Sequence, residues 1–91
     1  MSKFQTKTIN KLKSNGWKVL KVIRLNESGY PDLIALKDGK AVFIECKEKK
    51  DTLKPLQAFR IKELTENGFT AFTEQDGKDS ELDKFLKIVV L

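Results

Sequence analysis

Two acidic residues stand out because each adjoins sequence that is otherwise apolar and typical of β-strands. Asp32 directly precedes the run 33–36, and Glu45 lies within the run 41–46. An unpaired carboxylate inside an apolar strand is costly to bury, so Glu45 needs a partner. Carboxylate oxygens are hard ligands that suit Mg²⁺ or Mn²⁺, and the sequence has no histidine that would act instead as a base or ligand. These residues indicate chemistry that depends on carboxylates, lysine and a metal ion.

A β-hairpin is predicted to bring the two acidic residues together. The strand-like runs 32–37 and 40–47 flank Asp38-Gly39, a dipeptide that strongly favours a two-residue hairpin turn. Pairing across that turn places Asp32 directly opposite Glu45. Their β-carbons then lie about 5 Å apart, where like charges repel unless a cation lies between them.

Lys47 joins the acidic pair on the same face of the hairpin. Strand alternation places its side chain on the side of Glu45, roughly 6 to 7 Å further along, and points Cys46 to the opposite face. Three polar groups therefore converge at one strand end, whereas Cys46 is more typical of a small core residue than of a nucleophile. The alternative is that Asp32 merely ends a loop and that Glu45 and Lys47 form a solvated strand face.

The length and composition favour one small domain. Ninety-one residues suffice for a single core, and no apolar run approaches the roughly 20 residues that span a bilayer. Eighteen lysines and arginines against thirteen acidic residues give a net charge of +5, which favours a polyanionic partner but is also common in domains that have none. The single cysteine and the lack of a secretory signal predict a reducing, cytosol-like compartment.

Helix and strand signals along the chain predict an α/β domain in which helices flank a small mixed sheet. Both faces of the hairpin are apolar, so both must be covered. Ser2 begins a capping box, Asn15-Gly16 ends the first helix, and Pro55 begins a second helix that ends near Asn67-Gly68. Ser80 caps a third helix. The remaining segments are strand 17–24, loop 26–29, strand 69–73, loop 74–78 and an apolar tail, 88–91, which gives the order α-β-β-β-α-β-α.

Three motifs together resemble the signature of a known nuclease domain: Gly29-Tyr30-Pro31-Asp32, then Glu45-Cys46-Lys47, then Gln57 in the next predicted helix. This is the virus-type replication-repair nuclease (VRR-NUC) domain of the PD-(D/E)XK superfamily, and the order of elements is also similar in outline to archaeal Holliday-junction resolvases. The similarity covers nearly the whole chain. It implies a restriction-endonuclease-like core over residues 1–91 and the activity of a Mg²⁺- or Mn²⁺-dependent DNA endonuclease.

The resemblance also implies a role for each residue of the site. Asp32, Glu45 and the backbone carbonyl of Cys46 would bind the metal ion. Lys47 would hold or activate the attacking water and offset phosphate charge. Gln57, in the first turn of the second helix, would orient Lys47 or a metal-bound water, although one amide at a helix start is also a common surface residue.

Two positions depart from the family pattern. Many members carry a glutamate on the first helix, where this chain has Gln5, so the resemblance leaves open whether the site holds one metal ion or two. Relatives often have Ser or Thr before the proline that opens the second helix, where Lys54 stands here. We therefore expect capping of that helix to be weaker or to come from Thr52.

Candidate contacts with partners follow the same elements. Lys47, Lys49, Lys50 and Lys54 would contact a DNA backbone, although a solvated edge explains these lysines equally well. Leu56 and Phe59 lie on a face of the second helix distinct from that of Ile61 and Leu64. We expect this spare stripe, with the tail 88–91, to form a homodimer surface, because a two-fold dimer presents two active sites to a four-way junction.

Two other function classes fit part of the pattern. A non-catalytic DNA-binding module explains the positive charge but does not need Glu45 opposite Asp32. A protein-interaction module that retains the nuclease fold explains the spare apolar stripe, and metal-dependent cleavage would separate all three classes. A preference for branched or four-way DNA rests partly on the resemblance. The expected location is the cytoplasm of a bacterial or phage-infected cell.

Overall fold

The structure, a computed structural model, describes residues 2–89. The helices and strands over this range follow the predicted order: α1 (Lys3–Ser14), β1 (Lys18–Lys21), β2 (Leu33–Lys37), β3 (Lys40–Lys47), α2 (Pro55–Glu66), β4 (Thr70–Gln75) and α3 (Glu81–Val89). The predicted α/β class is therefore confirmed. The apolar tail, 88–91, lies partly outside the described residues. Within them, no helix is both long enough and apolar enough to cross a bilayer.

The sheet has the strand order β1-β2-β3-β4 and is mixed. β1, β2 and β3 pair antiparallel, whereas β4 pairs parallel to β3. The predicted hairpin register is confirmed, with Lys37 opposite Lys40 and Leu33 opposite Ile44. Asp38 and Gly39 have φ angles of 50° and 78°, the left-handed conformation that a type I′ turn requires of both central residues.

The two faces of the sheet are covered unequally. One face packs on α1 and α3 and forms the buried core, to which the hairpin contributes Leu33, Ala35, Val42 and Ile44. On the other face, α2 contacts β4 but contributes no residue to that core. The expectation that both faces are covered thus holds fully for one face only, because Leu36 on the other remains exposed. The candidate active site lies on this less covered face.

Strand ends differ from the prediction where tertiary contacts decide them. β1 was expected to reach residue 24 but ends at Lys21, just before the Val22 N–H donates to the Asp32 carbonyl at 2.7 Å. β4 was expected to end at residue 73 but continues to Gln75.

The extension of β4 brings Glu74 into the sheet as a buried carboxylate. Its Oε1 accepts a hydrogen bond from the Leu82 N–H at 3.1 Å, and its Oε2 accepts one from the Ser80 hydroxyl at 2.6 Å. Ser80 Oγ in turn accepts from the Asp83 N–H at 3.0 Å, as its predicted capping role requires. Glu74 therefore joins β4 to the start of α3, where a negative charge is favoured by the helix dipole.

The loop before Asp32 packs tightly on α2 at Gly29. This glycine has a φ of +88°, in the left-handed region that L side chains rarely adopt. A β-carbon at this position would lie 2.5 Å from Cγ of Leu56, a contact that neither residue can accommodate without moving. Only glycine therefore permits this approach between the loop and the helix.

We predict that Gly29→Ala destabilises the domain more than Gly68→Ala, measured by urea denaturation. Gly68 has a similar φ of +90°, but its β-carbon would meet no atom within 4 Å, so only the backbone cost of about 1–2 kcal/mol applies there. At Gly29 the clash adds roughly another 1–3 kcal/mol. Leu56→Ala should remove that extra cost in the double variant. Equal destabilisation by the two alanine substitutions would contradict the close packing.

Candidate active site

Four side chains meet at the end of the hairpin, and Glu45 is at their centre. Continuing the observed register of β2 and β3 places Asp32 opposite Glu45. Lys47 Nζ lies 3.4 Å from Glu45 Oε2, and Gln57 Nε2 donates to the same oxygen at 3.3 Å. The structure therefore brings together the four residues that the sequence predicts for the active site: Asp32, Glu45, Lys47 and Gln57.

Glu45 is a buried carboxyl group with a strongly altered acidity. The residue is 3% exposed and Lys47 is 8% exposed. Burial, and next the negative charge of Asp32, raise the pKa of Glu45 from 4.5 to about 7, while Lys47 acts in the opposite direction. One ammonium group therefore does not fully compensate the two carboxyl groups. A further positive charge at this position would favour the ionised form of Glu45.

Pro31 removes the ladder donor that would otherwise bind the backbone carbonyl of Cys46. The register that pairs Leu33 with Ile44 would place Pro31 opposite Cys46, in a pair whose N–H and C=O groups point at each other. Proline has no N–H, and the Cys46 N–H donates instead to Asp32 Oδ2 at 3.1 Å. Strand geometry thus directs the Cys46 carbonyl to the side of Asp32, where the resemblance places a ligand.

The thiol of Cys46 has a different environment from its carbonyl. The side chain packs against the core, and burial raises the pKa of the thiol to about 12. A thiol with this pKa remains protonated near neutral pH, when it is a poor nucleophile. The structure therefore supports the interpretation of Cys46 as a core side chain.

The oxygen atoms of the site fit a small hard cation. Two carboxylates and one backbone carbonyl are a donor set typical of Mg²⁺, which keeps several waters and takes further ligands from a phosphate. Among residues 2–89, no group of three or more His, Cys, Asp or Glu side chains is arranged to hold a metal ion. The ligands that the resemblance implies, Asp32, Glu45 and the Cys46 carbonyl, stay a prediction, and Gln5 on α1 adds no carboxylate.

Gln57 is held by the start of α2, which also orients its amide. Its Oε1 accepts a hydrogen bond from the Lys54 N–H at 2.9 Å, so its Nε2 is the atom directed at Glu45. Lys54, not Thr52, is the N-cap residue, and its side chain makes no capping bond. In the part of the chain that the structure describes, the only side chain that caps the start of α2 is that of Gln57, which accepts the hydrogen bond from the Lys54 N–H. In the structure this amide binds Glu45 Oε2, and its expected role in orienting Lys47 or a metal-bound water stays a prediction.

Comparison with known proteins identifies the family. The sequence model of the VRR-NUC domain family matches residues 2–74 of the chain. This chain belongs to the VRR-NUC family. No curated protein matches its sequence.

Solved structures show the same fold at low sequence identity. A VRR-NUC domain superposes with a TM-score of 0.72 at 21% identity, over 96% of this chain and 89% of the other. A second VRR-NUC domain protein gives a TM-score of 0.63 at 19% identity, over 99% and 86% of the two chains. Hjc, a Holliday junction resolvase of the archaeal hyperthermophile Archaeoglobus fulgidus, gives 0.61 at 19% identity, over 79% of this chain and 64% of the resolvase. The VRR-NUC chain is thus a nuclease-fold domain.

The candidate DNA-contacting lysines of the VRR-NUC domain fall into two environments. Lys47 is buried beside Glu45, whereas Lys49, Lys50 and Lys54 are exposed after the end of β3. Gln75, which the sequence analysis placed in a loop and did not select, holds the segment that carries them. Its Nε2 donates to the carbonyl oxygens of residues 51 and 48 at 2.8 and 3.3 Å. No local sequence signal marks this contact, because it joins segments 24 residues or more apart.

The two apolar stripes expected on α2 are present in the VRR-NUC domain. Ile61 and Leu64 are half-buried, whereas Leu56 and Phe59 are 44% and 54% exposed. The spare stripe is not free of contacts, because Leu56 packs beside Gly29 and the Phe59 ring lies 5.6 Å from the guanidinium carbon of Arg60. Leu56 and Phe59 remain a predicted homodimer surface.

The raised pKa of Glu45 predicts a pH-dependent stability that Glu45→Gln abolishes. Because the folded state holds the proton more tightly, the contribution of Glu45 to the free energy of unfolding falls as the pH rises from 4.5 to about 7, by up to about 3 kcal/mol. The measurement is urea denaturation of the metal-free protein across this range, with the exposed Glu66→Gln as control. A difference between parent and Glu45→Gln that stays constant with pH would contradict the assignment.

Proposed function

We propose that this VRR-NUC domain is a metal-dependent endodeoxyribonuclease that hydrolyses phosphodiester bonds. The observation that carries the proposal is the pair of facing acidic residues, Asp32 and Glu45, of which Glu45 is buried and paired with Lys47. A merely structural strand would be more stable with an apolar residue at position 45, because a buried ion pair rarely repays its desolvation. The nuclease fold and the VRR-NUC family also support this proposal.

The residues of the site would divide the reaction between them. Asp32, Glu45 and the Cys46 carbonyl would hold Mg²⁺ or Mn²⁺. When bound, such an ion makes water more acidic and neutralises charge on the scissile phosphate. Lys47 would then donate a hydrogen bond to the attacking water or to a phosphate oxygen. Gln57 would hold Glu45 in the orientation that binds the ion, since its amide is itself held by the start of α2.

The exposed lysines would extend the site along a nucleic acid backbone. Lys49, Lys50 and Lys54 follow β3 directly, so phosphates on either side of the scissile bond would pass close to them. Lys47 would serve the scissile phosphate itself, because it is buried next to Glu45. Binding to these lysines would be independent of sequence and would weaken with added salt.

We further propose that the substrate is branched DNA and that the enzyme acts as a homodimer. Two observations support this choice. The fold is shared with an archaeal Holliday junction resolvase, and Leu56 and Phe59 form an exposed apolar stripe. Resolving a four-way junction requires paired cuts, which a two-fold dimer supplies with two identical sites. The same stripe also favours the second candidate function, a protein-interaction module without catalysis.

Loss of cleavage is the expected result of Asp32→Asn, Glu45→Gln and Lys47→Ala. Each change should lower the rate about 100-fold or more, while DNA affinity falls only a few-fold because the exposed lysines remain. The assay uses labelled duplex, flap and four-way DNA with Mg²⁺, with Mn²⁺ and with chelator. Lys87→Ala, an exposed lysine on α3, is the control. Undiminished turnover in any of the three variants would remove that residue from the mechanism.

Light scattering tests the dimer separately from the chemistry. The parent should be dimeric at micromolar concentration, and Leu56→Glu with Phe59→Glu should be monomeric, because each glutamate introduces a charge into the apolar stripe. Phe59→Glu alone leaves the contact between Leu56 and Gly29 intact, so if monomeric it should still nick DNA but no longer cut four-way junctions in pairs. A monomeric parent, or a variant that stays dimeric and still cuts in pairs, would rule out this interface.

A further inference from the structure

A cluster of three side chains joins α2 to the loop that carries Asp32. Tyr30, two residues before Asp32, donates its hydroxyl hydrogen to Glu63 Oε1 at 2.6 Å. Arg60, between them, donates from Nη1 to the same carboxylate and to the Tyr30 hydroxyl, each at 3.4 Å. We call Tyr30, Arg60 and Glu63 the Tyr30 cluster.

Arg60 makes further contacts with the same loop. Its Nε donates to the backbone carbonyl of Ser28 at 2.9 Å, and its guanidinium carbon lies 4.6 Å from the centre of the Tyr30 ring. The side chain is only 14% exposed, so these contacts are partly shielded from water. One planar cation therefore contacts the loop through its backbone, an aromatic ring and a hydroxyl group, which a lysine could not do at once.

The chain between the cluster and the Asp32 carboxylate has little freedom. Pro31 is buried, its ring fixes its own φ, and it restricts Tyr30 to extended conformations. Because the intervening residue is this rigid, a displacement of Tyr30 would be transmitted to Asp32. Asp32 accepts two further hydrogen bonds, from the Val22 N–H at its carbonyl oxygen and from the Cys46 N–H at Oδ2.

The same helix holds the other carboxylate. Gln57 precedes Arg60 by one helical turn and donates to Glu45, while Leu56 packs against Gly29. α2 has no fully buried residue of its own, so these contacts contribute to its placement. Its N-terminal half therefore touches both Glu45 and the loop that ends in Asp32.

We propose that Arg60, with Tyr30 and Glu63, is a positioning group that sets the distance between Asp32 and Glu45 and hence the affinity of the site for a divalent cation. The inference rests on the proposed function, because it takes the two carboxylates as the ligands. None of the three residues needs to touch the ion or the DNA. They act through the loop and through α2.

The test is Mn²⁺ binding in the absence of DNA, measured by isothermal titration calorimetry at a temperature where every variant is folded. Arg60→Gln should weaken binding about tenfold, the scale found for residues that orient metal ligands. Tyr30→Phe keeps the ring under the guanidinium group but loses the hydroxyl, so it should weaken binding by a smaller factor. Lys62→Gln is the matched control: the same helix, the same loss of charge, but an exposed side chain. It should bind Mn²⁺ as the parent does.

Cleavage assays give a second readout that a loss of stability alone would not produce. In Arg60→Gln the Mn²⁺ concentration for half-maximal rate should rise in parallel with the dissociation constant, and DNA affinity should be unchanged. Saturating Mn²⁺ should restore most of the rate. Unchanged Mn²⁺ affinity in a destabilised Arg60→Gln variant would show that the cluster only supports the fold, and would overturn the proposal.

The outcomes separate this inference from the proposed function. Suppose that the parent binds Mn²⁺, that Arg60→Gln binds it more weakly, and that neither protein cleaves DNA. The positioning role is then supported, and the endonuclease proposal is contradicted. If the parent binds no Mn²⁺, both proposals fail. Arg60→Lys should resemble Arg60→Gln, since a charge without the planar fork cannot keep the contacts, and full binding by Arg60→Lys would also overturn the role of the guanidinium group.

Discussion

A buried carboxylate in an inner strand of the sheet is the constraint on which the rest of the site depends. Glu45 has little contact with water, and its charge must be compensated by neighbouring groups or taken up by a proton. Lys47 approaches from the same strand and Gln57 from α2, while Asp32 on the adjacent strand adds a second negative charge. The balance is left negative, which is the condition for binding a cation. An apolar residue at position 45 would make the domain more stable, but it would not provide the negative charge that the proposed binding of a cation requires.

The covering of the sheet is consistent with this interpretation. One face is closed by α1 and α3 and contains the apolar core, which supplies the hydrophobic stabilisation of the domain. The face with Glu45 and Lys47 has α2 over part of it, and this helix makes polar and aromatic contacts with the site and with the loop before Asp32. The proposed function requires this face to admit a nucleic acid backbone, which a fully packed helix would prevent. Under that proposal, stability and access belong to opposite faces of the sheet.

Local sequence signals were sufficient for the elements and for the central pair of carboxyl groups. Asp38-Gly39 determines the hairpin register, and that register alone places Asp32 opposite Glu45. Pro55 and the residues after it place Gln57 in the first turn of α2, from which it reaches Glu45. The fold class followed from the order of such signals.

Contacts between distant segments explain what the sequence did not show. Glu74 was expected in a loop, but its carboxylate binds the start of α3, and this requires it to lie in β4. β1 ends at Lys21 and not at residue 24, and the position of this end depends on the pairing with β2 and not on β1 itself. Arg60 resembles any other charged residue of a helix until the loop that it contacts is in place. Such roles depend on tertiary neighbours that no local pattern encodes.

Anomalous diffraction from crystals of the protein soaked in Mn²⁺ tests the central claim most directly, because it locates the ion without reference to activity. We expect a strong peak within coordination distance of one carboxylate oxygen of Asp32, one carboxylate oxygen of Glu45 and the carbonyl oxygen of Cys46, and no such peak in crystals of Glu45→Gln. An empty position between Asp32 and Glu45 at saturating Mn²⁺, with or without an ion elsewhere, would contradict this assignment.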